Sequence, residues 1–280
     1  MNNKLKRYSF IFVGPIFIAF LIVFLIPFIL GAYLSLCDFS TVENASFIGF
    51  ENFIKAFSDE NFISAIWFTV KFTFVSVLSV NFLAFTIALI LTRGLRFSNI
   101  FRTVFFMPNL IGGIVLGYIW NLIINGILGF FGVDITFSAS YGFWGLVVLT
   151  NWQMIGYMMV IYIAGIQTIP HSLIEASKID GASYFQTLKN IIIPMIMPSV
   201  TICAFLTLSN AFKLFDQNLA LTNGAPARQT SMIALDIYNT FYGTVGNQGV
   251  GQAKAVIFTI LVAFIAFVQL RITRGKEEQL

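Results

Sequence analysis

Eight polar side chains stand within or at the ends of long apolar stretches: Asn109, Asn121, Asn151, Gln153, Tyr157, Asn210, Lys213 and Asp216. Polar groups in hydrocarbon are expensive, so they face a bundle interior, a water-filled cavity or one another. An amide offers a donor and an acceptor together, which matches a hydroxyl, and an aromatic face packs against the C–H face of a sugar ring. These residues, with Asn81 as a ninth, are candidates to line a pathway for a hydroxylated solute; hydrogen bonding between neighbouring helices is the alternative. For Lys213 and Asp216, mutual or solvent pairing is the first expectation. Bond-making chemistry is not indicated. His171 is the single histidine and has no carboxylate or Cys companions. Cys37 and Cys203 suggest no disulfide framework. Gly246 to Gln252 has phosphate-loop glycine spacing but carries Gln252 where such a loop needs Lys, and is expected to be an outer loop. No catalytic residue, bound cofactor or metal is therefore expected in this chain.

The most structured polar segment is Ser172 to Pro198, SLIEASKIDGASYFQTLKNIIIPMIMP. Ser172 with Glu175 reads as a capping box opening a short helix over Leu173 to Ile179. Gly181 suits a left-handed turn, and Ser183 with Gln186 repeats the box for a second helix whose apolar face is Phe185, Leu188 and Ile192. The unit is helix, tight turn, helix. It could be an incidental surface hairpin or a docking element.

The elements that must position these groups are membrane spans. The 280 residues are 58% hydrophobic and 10% charged, whereas about a quarter of a soluble domain is charged. Phe10 to Leu36 is 27 residues without a charge, longer than the roughly 7–15 apolar residues of a cleavable signal. Further spans are expected over Ile63 to Leu91 and within Thr103–Asn125, Gly142–Thr168, Asn190–Phe212 and Gly249–Leu270, the last trimmed by Lys254. Lys71 can extend its amine to the headgroups. With the N-terminus inside, 11 of the 16 basic residues fall on the cytoplasmic side, as retention of Lys and Arg there requires. The expected fold is all-α: a polytopic protein of six transmembrane helices, both termini inside, with the hairpin cytoplasmic between spans four and five. The net charge of +4 follows from this retention and calls for no nucleic-acid partner.

Glu175-Ala176, then Gly181, then Ile191, Ile193 and Pro194 resembles the EAA loop of ABC importer permeases: EAA, three residues, G, nine residues, I, one residue, LP. Ser177 replaces the second Ala and Ile193 the Leu. Phe47 to Asp59, Arg102 to Trp120, and Leu214 to Pro226 resemble further segments of sugar permeases, the last being the FDxxxxLTxGGP signature of the first of two permeases, with Ala225 in place of its second Gly. The resemblance implies a type I importer of the carbohydrate-uptake family. It would comprise two permease subunits forming a heterodimer, two cytoplasmic ATPases that use ATP and Mg, and an extracytoplasmic binding protein, all at the bacterial plasma membrane. Glu175, Ala176, Ser177, Asp180, Gly181 and Ala182 would then dock on an ATPase. The implied domains are residues 1–62 (first span and outer loop), 63–272 (permease core with the EAA loop at 170–198) and 273–280 (cytoplasmic tail).

Two other function classes fit less well. A membrane enzyme needs a cluster of His, Asp, Glu or Cys that the spans lack. An ATPase-independent carrier commonly shows internal repeats or intramembrane carboxylates. For a permease of this family the solute would be an oligosaccharide, a monosaccharide or a glycerol phosphate, and the few basic residues within spans disfavour the phosphate.

Overall fold

The computed structural model describes residues 3–94, 96–243 and 245–277; the end of the expected tail, from Glu278, lies outside them. Among the described residues the chain is helical apart from turns and one short antiparallel ladder. The first apolar stretch forms α1 (Asn3–Phe20) and α2 (Ile26–Leu34), joined by a π turn over Leu21–Leu25. Pro27 explains the widened turn, because it has no N–H to donate back to the preceding turn. The ladder follows, β1 (Cys37–Asp38) on β2 (Ser46–Phe47), with Cys37 opposite Phe47. Next come α3 (Glu51–Ser58), α4 (Glu60–Leu91), α5 (Ser98–Phe106), α6 (Gly113–Gly129) and α7 (Ala139–Gln167). The polar hairpin is α8 (His171–Ile179) and α9 (Tyr184–Thr187), continued by a π turn over Leu188–Ile192, α10 (Ile193–Met195) and α11 (Met197–Phe212). The chain ends with α12 (Asp216–Leu221), α13 (Ile233–Gly243) and α14 (Gln248–Glu277).

Among the described residues, four helical stretches are long and apolar enough to cross a membrane: Phe12–Leu34, Glu60–Leu91, Ala139–Gln167 and Gln248–Gln269. The expected third and fifth spans are not single helices. Each is a bent pair, Ser98–Leu110 with Gly113–Gly129 at 103° and Tyr184–Met195 with Met197–Phe212 at 71°. In the first, Ile111 and Gly112 are extended, with ψ of 132° and 144°, after the turn at Pro108. In the second, Pro194 and Pro198 each remove a backbone donor, and the chain breaks at Ile196, with φ −96° and ψ 9°.

The chain forms two compact units, residues 1–62 with 236–260 and residues 63–235 with 261–280. In the first unit, the buried Asn52 amide donates to the carbonyls of Ser35 and Cys37 at 3.0 and 2.8 Å, fixing the turn that carries the ladder. Lys254 does not trim the last span as expected. It is fully buried in α14, and its ammonium donates to Asp59 at 2.6 Å, Asp236 at 2.8 Å and Thr240 at 2.8 Å. With three acceptors around the charge, the helix continues through it. The glycine-rich segment is likewise only partly loop, since α14 begins at Gln248.

The second unit is organised on α7. One apolar cluster joins Ala84, Met158, Tyr162 and Ile196; another joins Phe72, Leu146, Leu149 and Met232. The Tyr162 hydroxyl donates to Asn81 Oδ1 at 2.8 Å, and Asn81 Nδ2 donates to Thr207 at 3.3 Å, linking α7, α4 and α11. Gly113 and Gly117 make a close packing face. A β-carbon at Gly117 would stand 2.5 Å from Ala220 Cβ, so only glycine lets α12 lie against α6 there.

Candidate functional site

Six of the polar residues singled out from sequence line one cavity of about 560 Å³ in the second unit. Ligand sites commonly occupy about 300–1,000 Å³. Gln153 and Tyr157, four residues apart and so on one face of α7, form one wall. Asn109 enters from the turn after α5, Asn210 from α11, Lys213 from its C-cap, and Asp216 from the first residue of α12. The chain can bring α12 into the wall because Gly113 and Gly117 leave room for it: a β-carbon at Gly113 would be 2.7 Å from Asp216 Cβ.

The cavity offers amides, a phenol, one cation and one anion. Gln217 Nε2 donates to Gln153 Oε1 at 2.8 Å, and Gln153 Nε2 to the Ile111 carbonyl at 3.4 Å. Both amides are thus held in place with donor or acceptor capacity left over. Asn210 has one donor engaged by the Leu206 carbonyl at 2.9 Å. Among the described ion pairs, Lys213 and Asp216 are not partners; both are exposed, so water or a solute is their alternative partner. Among the described residues no group of three His, Cys, Asp or Glu could hold a metal ion.

Asn121, Asn151 and Asn81 lie outside this lining and bind other helices. Asn121 donates to the Leu221 carbonyl at 2.7 Å. Asn151 is buried and donates to Ser79 at 2.9 Å and to the Val147 carbonyl at 2.8 Å. Trp120 and Trp152 meet edge to face at 5.7 Å, a packing contact.

About 15 Å beyond Tyr157 along α7, at 1.5 Å per residue, the chain enters the hairpin. Its first helix starts two residues earlier than expected, at His171, with Pro170 as N-cap and no side-chain cap. Ser172 is therefore already helical, and the capping box with Glu175 is not made. The second box is made: Ser183 N–H donates to Gln186 Oε1 at 2.7 Å, and Gln186 N–H to Ser183 Oγ at 3.4 Å. Between them Gly181 has φ +73°. The N–H of Gly181 donates to the Lys178 carbonyl at 3.1 Å and that of Ala182 to Ser177 at 2.9 Å, the paired closure of a left-handed helix end.

Inside the turn, Ser177 Oγ lies 3.2 Å from Thr187 Oγ1. Leu188 and Ile192 pack into the apolar cluster around α7. Phe185 does not share their burial: it lies in the first turn of α9 and is 76% exposed, its ring set against that of Tyr184. Glu175, Ala176, Asp180 and Gly181 are exposed, with Ile179 at 87% beside them. The hairpin thus presents an outward surface with both apolar and acidic groups.

Residues 81–277 match the family described as binding-protein-dependent transport system inner membrane component. The chain belongs to this family. Relatives match it over nearly its full length. It is 44% identical over 279 residues to the probable starch degradation products transport system permease protein AmyD of Thermoanaerobacterium thermosulfurigenes, covering 96% of this chain and 95% of the relative. It is 28% identical to the trehalose/maltose transport system permease protein MalF of Thermococcus litoralis, covering 99% of each. In structure it is similar to a chain of a bacterial ABC transporter that imports the acidic polysaccharide alginate, with TM-score 0.82 and 20% identity over 97% of this chain and 96% of that one.

In this inner membrane component the sequence reading missed Gln217 and Phe215 in the cavity wall. Both lie inside the FDxxxxLTxGGP segment, whose spacing marks the family without showing which of its side chains face a cavity. The Ala225 substitution in that segment is compatible with its turn, because positive φ falls on Asn223, Gly224, Ala227 and Arg228 and not on Ala225.

Proposed function

We propose that this chain is a permease subunit forming half of a translocation pathway for an oligosaccharide, delivered by an extracytoplasmic binding protein and driven by two cytoplasmic ATPases. The observation that carries the reading is the convergence of Asn109, Gln153, Tyr157, Asn210, Lys213 and Asp216 on one cavity. A site of amides and an aromatic ring suits a neutral, hydroxyl-rich solute, and its single cation is offset by an anion, which disfavours a phosphorylated one. The names of the relatives, for starch degradation products and for trehalose and maltose, support a glucose-based oligosaccharide.

In this reading the chain has six spans, two of them bent, with both termini in the cytoplasm of a bacterial cell. Residues 1–62 supply the first span and outer loop, 63–272 the core, and 273–280 a tail. The hairpin within 170–198 docks on an ATPase subunit through Glu175, Ala176, Asp180, Gly181 and Ala182, with Ser177, buried against Thr187, holding that surface from within, and a homologous second permease completes a heterodimer. The chain itself binds no cofactor; ATP and Mg belong to the ATPases.

The deciding experiment is ligand binding by the solute-binding protein encoded beside this gene, measured against a panel of malto-oligosaccharides, other sugars and amino acids. Tight binding of a malto-oligosaccharide, followed by its ATP-dependent uptake into vesicles holding the whole complex, is the expected result. An amino-acid ligand would refute the carbohydrate assignment.

A further inference from the structure

A second cavity, of about 330 Å³, opens where the ends of α4 and α7 meet both helices of the hairpin. Its floor is apolar, made by Leu89, Ile169 and Ile192. Its rim carries Arg93, Gln167, His171 and Tyr184, with no carboxylate among the lining residues. Neither the solute cavity nor the outward docking surface uses these groups.

Arg93 is the key residue. Its guanidinium stacks over the Tyr184 ring at 4.7 Å, and it takes part in no ion pair or side-chain hydrogen bond among the described residues. The contact with the ring takes up none of the guanidinium's five N–H donors, and no protein acceptor among the described residues takes them either. A guanidinium with its donors unspent can give two parallel hydrogen bonds to a phosphate. The His171 imidazole and the Gln167 amide add donors on the same rim.

We infer that this cavity binds the phosphate group of an anionic phospholipid. Two observations favour a lipid over a free anion. Arg93 and Gln167 lie at the ends of two membrane-crossing helices, α4 and α7, the depth at which headgroups sit. Part of the apolar lining, Leu89 and Ile166, belongs to those two helices themselves, so an acyl chain would lie beside them. A lipid held there touches the fixed ends of α4 and α7 and both arms of the hairpin at once. It therefore stabilises one setting of the hairpin against the spans.

The test titrates the delipidated full-length chain in neutral detergent with phosphatidylglycerol, phosphatidylcholine or inorganic phosphate, reading bound mass by native mass spectrometry and melting temperature in parallel. Phosphatidylglycerol is expected to bind at least about tenfold more tightly than phosphatidylcholine. Arg93→Gln should weaken it by about tenfold or more, the scale of a lost charge-assisted hydrogen bond, and Arg93→Lys by less. His171→Ala, on the same rim, should weaken it too and serves if Arg93→Gln does not fold. Inorganic phosphate that binds as well as phosphatidylglycerol, with the same dependence on Arg93, would overturn the lipid assignment in favour of a free phosphate. Equal binding of the two lipids, or wild-type binding by both variants, would overturn the site.

Discussion

Ser177 and Thr187 face each other across the hairpin, their hydroxyl oxygens 3.2 Å apart and both side chains nearly fully buried. Where the EAA pattern has a second alanine, this chain has a hydroxyl that ties the first helix to the second. Each hydroxyl also has a backbone acceptor, the Ile174 carbonyl at 2.8 Å for Ser177 and the Ser183 carbonyl at 3.3 Å for Thr187.

Removing either hydroxyl should therefore be mild. Ser177→Ala and Thr187→Val are each expected to cost about 0.5–1.5 kcal/mol, and the double variant less than the sum of the two. Melting of the three variants and the wild type in detergent gives the coupling directly. Strict additivity would mean that the pair contributes nothing to the hairpin.

Gly181 is the less forgiving position. Its φ of +73° is closed to proline, whose ring fixes φ near −65°, and costs another residue roughly 1–2 kcal/mol. Gly181→Pro should abolish uptake and release the ATPase from the membrane, whereas Gly181→Asn, which tolerates the left-handed region, should keep both in part. No β-carbon at this position would meet a neighbour, so the loss is conformational. Co-purification of the ATPase with each variant reads it out; full retention with Gly181→Pro would remove the coupling role.

The two classes of buried amide separate under mutation. Gln217→Ala breaks one bond in the cavity wall and Gln153→Ala two, and each should raise the uptake KM by about fivefold or more for a lost polar contact with solute, with complex assembly unchanged. Asn151→Ala breaks a bond to Ser79 of α4 and one to the Val147 carbonyl of its own helix, away from the cavity. It should lower thermal stability by about 0.6–1.7 kcal/mol and leave KM alone.

The same contrast shows what could be read from sequence. Polar residues in apolar stretches identified the groups that must face inward, and the hairpin followed from Gly181, Ser183 and Gln186 because turns and caps are set by neighbours a few residues apart. Which amides share a cavity was not legible, since Asn109, Gln153 and Asn210 come from three elements whose approach depends on packing. The bends at Gly112 and Ile196 were hidden by hydropathy, which averages over a break that needs only one or two non-helical residues. Lys254 was misread for a similar reason: its acceptors Asp59 and Asp236 are distant in sequence.

That cluster predicts an acid sensitivity. Partial burial of Asp59 favours its neutral form, but the Lys254 ammonium and the Asn61 N–H outweigh this, and its carboxyl titrates below the ordinary value of 3.8. A carboxyl whose value is depressed on folding contributes its full stability above the unfolded value and loses it as pH falls through the folded one. Melting temperature should thus be flat in this respect near neutrality and fall below about pH 4. Asp59→Asn should start lower at pH 7 and show a shallower acid limb.

Lys254 itself should be the most sensitive residue of the first unit. Its side chain is wholly inaccessible, Asp236 is 1% exposed, and Asp59 keeps 29% of its surface. One buried ammonium thus serves two carboxylates, one of which can still reach water. Lys254→Met removes the charge while keeping the length, so it leaves Asp236 buried without a counter-ion, a loss of about 3–5 kcal/mol for one partner of a buried pair. Removing the stranded charge as well, in Lys254→Met with Asp236→Leu, should recover most of that loss, because a buried ion pair exchanged for apolar groups of similar volume is close to neutral. Asp236→Leu alone should be milder than Lys254→Met, since the ammonium keeps Asp59 and Thr240 as acceptors at 2.6 and 2.8 Å. Melting of the three variants in detergent tests the order. If Lys254→Met were as stable as the wild type, the cluster would be a packing contact rather than an electrostatic one.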